Sequence, residues 1–376
     1  MKILSIEPTP SPNTMKIILD QELPFGKSHN YKKDQHEGAP EVIKTILKVD
    51  GVKGVYHVAD FLAVERNAKY DWKEILPKVR TAFGEEYSNS DLSGSPVQHY
   101  GEVKALVQMF KGIPLQIKLN DDDNEKRFGL PEMYKTAAFE AQLPGDNYIL
   151  LRKWQDFGIR YGEMDQVGQE LLEELLAAYP EERVKNLVSD AKKENGTITD
   201  KRVRSKKNVS VEDLNNPDWR IRFQTLEQMD DPTVEDLLVL EKALNDEKMS
   251  IRRLATVYVG MIEDKKVLPL LYKALKDSAV AVRRTAGDCL SDLGFEEAIP
   301  EMCESLKDPS KLVRWRAAMY LYEVGDETAL HALKEAELDP EFEVSLQVKM
   351  AIERIEGGEE AKGSVWKQMT EARKND

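Results

Sequence analysis

Two cysteines, Cys289 and Cys303, and five histidines at 29, 36, 57, 99 and 331 are the residues on which metal or nucleophilic chemistry would have to rest. Thiolate metal sites need several Cys or His at short spacing, and these two cysteines stand alone. A free Cys at an apolar helical position behaves as a small hydrophobe. Asp121-Asp122-Asp123-Asn124 is dense enough in carboxylates for a calcium loop. The glycine and terminal glutamate of an EF-hand are absent, so the run reads as a solvated turn. His36-Glu37 is followed at once by Gly38, and His57 falls in a strand-like stretch, where it reads as structural. No Gly-rich phosphate loop, nucleophile elbow or paired-Cys motif occurs. The expectation is no catalytic residue, no metal and no cofactor.

The residue types suited to binding recur instead. Val282-Arg283 and Val313-Arg314 each follow an Asp, at 277 and 308, and the frame repeats at Asp246 with Ile251-Arg252 and Asn216 with Ile221-Arg222. A fifth copy, Asp339 with Val344, carries Ser345 in place of Arg, and the Asx positions lie 30, 31, 31 and 31 residues apart. Such a period is the mark of a stacked helical array. Asx accepts backbone N–H groups where one helix gives way to the next. Ala255, Ala286 and Ala317 allow close helix approach, and Gly294 and Gly325 offer left-handed helix ends. The Arg column reads first as a ladder between repeats. Arg253, Arg284 and Trp315 fill one shared slot and are candidate partner anchors, Trp and Arg being the residues on which binding energy concentrates. Trp315 reads equally as filler between repeats.

These side chains have to be positioned by 376 residues, a length for two or three domains, with 41% hydrophobic and 32% charged residues. The net charge of -14 is uneven: residues 208–376 hold 23 basic and 35 acidic side chains. An acidic array repels phosphate backbones, so nucleic acid is not expected as a partner. Neither a signal-peptide stretch nor an uncharged apolar run of about 20 residues appears, so a cytoplasmic, non-membrane protein is expected.

The expected architecture is multidomain. A small α/β domain spans 1–87, an α/β middle domain 99–195, and a basic linker 196–208. An all-α solenoid of about five HEAT-like repeats fills 209–356, and a polar tail 357–376. In the first domain, strands are expected at Ile3 to Ile6 and Met15 to Leu19, a helix at Pro40 to Leu47, and a hairpin from Val52 to Val64 turning at Ala59-Asp60. Asp71 caps a second helix that Pro77 interrupts early. In the middle domain, Glu102 to Phe110 is expected as a helix, Ile113 to Leu119 and Tyr148 to Arg152 as strands, and Asp165 to Ala178 as an amphipathic helix.

Asp308-Pro309 through Val313-Arg314 to Ala317-Ala318 resembles the HEAT-like repeats of the phycobilisome-lyase type. Glu7-Pro8-Thr9-Pro10-Ser11-Pro12-Asn13-Thr14-Met15-Lys16, Gly51-Val52-Lys53-Gly54-Val55 and Asp60-Phe61-Leu62-Ala63-Val64 resemble the N-terminal domain of Nfu/NifU iron–sulfur scaffolds. The Cys-x-x-Cys module that holds the cluster in that family is missing here. HEAT-like repeats also build a di-iron hydroxylase, but this solenoid holds only His331 and no His-Glu pair. Taken together, the order of domains resembles the conserved virulence factor C family of Gram-positive bacteria. The resemblance implies a regulatory or virulence-supporting role without a mechanism, and the solenoid is expected to make the chain a non-catalytic scaffold or adaptor that binds a protein partner. The alternative is an accessory factor in iron–sulfur or redox metabolism acting through the Nfu-like domain.

Overall fold

The structure is a computed structural model that describes residues 1–9, 13–24, 27–67, 69–70, 72–84, 102–121, 124–193 and 207–358. Several expectations fall outside these residues: the segment Pro10 to Pro12, the Asp71 cap, Asp122-Asp123, most of the basic linker and the tail beyond residue 358.

The first domain is an antiparallel sheet with two helices. Its elements are β1 (Ile3–Pro8), β2 (Thr14–Leu19), β3 (Ser28–Lys32), α1 (Glu41–Leu47), β4 (Val52–Val58), β5 (Phe61–Arg66) and α2 (Trp72–Ala82). The strand order is β1-β2-β5-β4-β3. Alternation along β2 puts Met15, Ile17 and Leu19 inward. They share a core with Ile43 and Ile46 of α1 and with Trp72, Ile75 and Val79 of α2. The β4–β5 hairpin turns at Ala59, whose φ is 45°. Pro77 does not interrupt α2, which runs on to Ala82. Burial of Ile75 and Val79 on either side holds the helix across the missing N–H.

The middle domain comprises β6 (Glu102–Phe110), β7 (Ile113–Asn120), β8 (Glu125–Gly129), α3 (Glu132–Glu140), α4 (Tyr148–Leu151), β9 (Arg152–Tyr161), α5 (Met164–Ala178) and α6 (Glu181–Lys193). Its antiparallel sheet has the order β8-β7-β6-β9. Two expectations are corrected. Residues 102–110 form a strand because Val103, Ala105, Val107 and Met109 alternate inward between two partners, β7 and β9. Pairing on both edges overrides their helix-forming composition. Tyr148 opens a short helix whose first turn is capped by the Asn147 side chain, and β9 begins only at Arg152.

The repeats follow. They are α7 (Trp219–Glu227), α8 (Leu237–Ala243), α9 (Met249–Gly260), α10 (Leu268–Ala274), α11 (Val280–Leu293), α12 (Ile299–Ser305), α13 (Lys311–Val324), α14 (Leu330–Ala336) and α15 (Phe342–Glu356). The even-numbered helices are each entered through a 3-10 turn, such as Lys265–Val267 before α10. They are too short to stand alone, and only stacking stabilises them. Gly325 does not end α13 through a left-handed backbone, since its φ is -59°. A Cβ there would lie 2.4 Å from the Leu321 carbonyl oxygen, so close approach is what requires glycine.

The chain divides into two compact units, residues 1–100 with 294–376, and residues 101–293. In the first, Phe342 and Leu346 of α15 pack against the core of the N-terminal domain. In the second, the middle domain has a core of its own, in which none of the described residues of the repeats takes part.

Candidate functional site

Each repeat frame resolves into bonds. The Asx side chain accepts the N–H two residues on, Asn216 from Asp218 at 2.9 Å and Asp246 from Lys248 at 2.8 Å, which starts the second helix of the pair. The column Arg then binds twice. Arg252 donates from Nη1 to the carbonyls of Asp246 and Glu247 in its own repeat, at 2.9 and 3.1 Å. Its Nε and Nη2 grip both oxygens of Asp277 in the next repeat, at 2.6 and 2.9 Å. Arg222 does the same to Asp246, and Arg314 to Asp339. Planar bidentate pairing of this kind is what Arg supplies and Lys cannot. The Arg column is therefore a ladder. Side-chain hydrogen bonding to Asp277 holds the Arg252 guanidinium above its ordinary value, although burial opposes this.

The off-ladder arginines meet the middle domain. Arg284 of α11 is 2% exposed, pairs with Glu102 of β6 at 3.2 Å and with Asp288 of its own helix, and stacks on the Tyr161 ring. The Tyr161 hydroxyl in turn donates to Asp288 at 2.6 Å. Arg253 of α9 lies 3.7 Å from Glu174 of α5, a carboxylate held in a bidentate pair by Arg160 of β9 at 3.0 Å. The Arg253 Nε is buried with no hydrogen-bond partner. Burial first, and Arg160 second, push the Arg253 guanidinium down to about 10. Burial also opposes charge on Glu174, but Arg160 and Arg253 outweigh it and hold the carboxyl below its ordinary range. Lys248, at the start of α9, bonds Glu173 at 2.8 Å and lies over the Trp219 ring. Arg183 of α6 reaches Glu227 at 2.8 Å.

The candidate partner anchors Arg253, Arg284 and Trp315 are covered in the closed chain. Trp315 is 3% exposed within α13, and both arginines are taken up inside the fold. Sequence reasoning missed the partners of the two arginines, Glu174 and Glu102, and Glu173 as the partner of Lys248. The available signal was the acidic flank Glu170, Glu173, Glu174 beside the Val167, Leu171, Leu175 stripe of α5.

The remaining chemical candidates are scattered. Cys289 is buried near the Thr256 carbonyl, and burial pushes the half-buried Cys303 thiol up to about 11. Asp121 accepts the Asn124 N–H at 2.7 Å, an ordinary turn. His57 is buried and His331 exposed. Among the described residues no three His, Cys, Asp or Glu side chains gather as metal ligands, and no helix is long and apolar enough to cross a membrane.

Family models match three stretches: the N-terminal domain of the Nfu/NifU scaffold protein over residues 3–90, a virulence factor family over 108–188, and HEAT repeats over 268–353. The protein YpgR of Bacillus subtilis is 64% identical over 375 residues, covering 100% of this chain and 99% of that one. A conserved virulence factor C of Staphylococcus haemolyticus is 50% identical, with 100% of both chains covered. Among solved structures, protein SAV1430 of Staphylococcus aureus is 43% identical over 22% of this chain and 99% of that chain, with a TM-score of 0.21. Near-complete coverage at these identities carries the domain order as well as the domains, and the chain belongs to the conserved virulence factor C family.

Proposed function

We propose that the protein is a non-catalytic scaffold that binds a protein partner through its HEAT repeats. The Arg–Asp ladder supports this most directly. It joins one repeat to the next through bidentate pairs 24 or 25 residues apart, at Arg222–Asp246 and Arg252–Asp277. A register held in this way keeps successive helix faces in fixed relation, which is how repeat arrays build extended binding surfaces. The test is capture from the native cell followed by reconstitution from purified components. A partner that binds the full chain directly, and is lost when ladder residues are replaced, supports the reading. A partner that needs only the N-terminal domain overturns it.

A second reading draws on the Nfu/NifU-type domain at residues 3–90. In it the chain is an accessory to iron–sulfur metabolism, docking on a cluster carrier and holding no cluster itself. Direct titration of the full chain against purified cluster-carrier proteins tests it, and absence of binding to any of them removes it.

A further inference from the structure

The second helices of the first three repeats share a pattern. Helices α7, α9 and α11 carry two arginines each: Arg220 and Arg222, Arg252 and Arg253, Arg283 and Arg284. In each pair one belongs to the Arg column, namely 222, 252 and 283. The other three do not. Arg253 and Arg284 face the middle-domain carboxylates Glu174 and Glu102. Arg220 and Lys248 both draw Glu173 below its ordinary value, chiefly through the Lys248 hydrogen bond. A basic stripe therefore crosses a solenoid that is acidic as a whole, and the carboxylates of α5 and β6 cover it.

Three features distinguish this contact from a shared core. Among the described residues, the middle domain's apolar cluster includes none from the repeats. The contacts across it include ion pairs, hydrogen bonds and the stacking of Arg284 on the Tyr161 ring, and the Lys248–Glu173 pair is open to water at 31% and 38% exposure. Arg253, at the centre, makes no hydrogen bond through Nε and stands 3.7 Å from its carboxylate. Polar contacts between separately closed cores are the ones that open.

We infer that the Lys248–Arg253–Arg284 stripe is a docking surface for an acidic amphipathic helix, that α5 occupies its Lys248–Arg253 part in the chain while Glu102 of β6 covers Arg284, and that a partner protein binds by presenting carboxylates at the same i, i+3, i+4 spacing as Glu170, Glu173 and Glu174. This rests on the scaffold reading and names the partner's chemistry. Tethering gives α5 an effective concentration on the order of millimolar, so the resting chain screens out weak competitors.

The experiment uses the full chain and a labelled synthetic peptide of residues 163–180. One variant, Glu102→Lys/Glu173→Lys, reverses two carboxylates that lie outside the middle-domain core. A second adds Arg253→Glu/Arg284→Glu. Carbodiimide labelling of Glu174, 5% exposed in the closed state, reports opening. The first variant should label at Glu174 and bind the peptide about tenfold tighter than the parent, more weakly as salt rises. The second should label but lose the peptide. If Glu174 stays protected in the first variant, ion pairs do not hold the contact and the inference fails. It fails equally if opening brings no gain in binding, or if the second variant binds as well as the first. Should a native partner bind the second variant as it binds the parent, the scaffold reading stands and this inference falls.

Discussion

At the scale of single residues, the ladder arginine has the most to lose. Arg252 links two repeats through one carboxylate and two carbonyls. Arg252→Ala strands Asp277, whose side chain is 10% exposed, and should cost about 2–3 kcal/mol in denaturant unfolding. Arg252→Lys should recover only part of this, since an ammonium cannot make the fork. His57 has a pH signature. Burial first, and His29 second, hold its imidazole below the ordinary 6.5. The unfolded chain therefore takes up the proton first. The stability His57 contributes is full above about pH 6.5 and is lost as pH falls through the lower folded value. Thermal unfolding from pH 7.5 to 5 should show this loss in the N-terminal domain, and His57→Phe should flatten it.

At the scale of elements, helix approach sets the limits. Gly260 ends α9 against α11, and a Cβ there would lie 2.3 Å from Cys289 Sγ and 2.6 Å from Cys289 Cβ. Gly260→Ala should destabilise the array by about 1–3 kcal/mol through overpacking. Cys289→Ala in the same chain should restore only part of the loss, because it removes the sulfur and leaves the Cβ. Calorimetry of the two single variants and the double variant decides; full recovery would mean that the sulfur alone makes the approach tight. The strand β6 carries a related lesson. Its sequence, EVKALVQMF, favours helix locally, yet it lies between two partners in a sheet. Single-sequence pattern cannot see those partners, which lie elsewhere in the chain.

At the scale of the whole molecule, the N-terminal domain and the last repeat share a buried ion pair. Arg66 is 0% exposed and binds Glu343 of α15 at 2.9 Å, the Tyr70 carbonyl at 3.1 Å and Asn13 at 3.3 Å. Its guanidinium also lies over the Trp72 ring. Glu343→Gln leaves that buried cation without its counter-charge and should cost about 3 kcal/mol. Hydrogen exchange should then rise in α15 and in the N-terminal core alike. A rise confined to α15 would show the domain to be stable without its last repeat.

The sequence by itself determined the repeat, its period, the Asx-and-Arg frame and the Nfu-type domain. All of these are local or recur at a fixed interval, so the chain displays them several times over. It also located the ladder, because the Arg and Asx columns recur together with the period. What only the tertiary structure decided was what Arg253 and Arg284 meet in the closed chain and that Trp315 is buried. Glu102 and Glu174 lie 182 and 79 residues from their arginines, and no period links them. Pairing at such a distance is set by the docking of one closed core on another, a property of assembled surfaces that no single stretch of sequence displays.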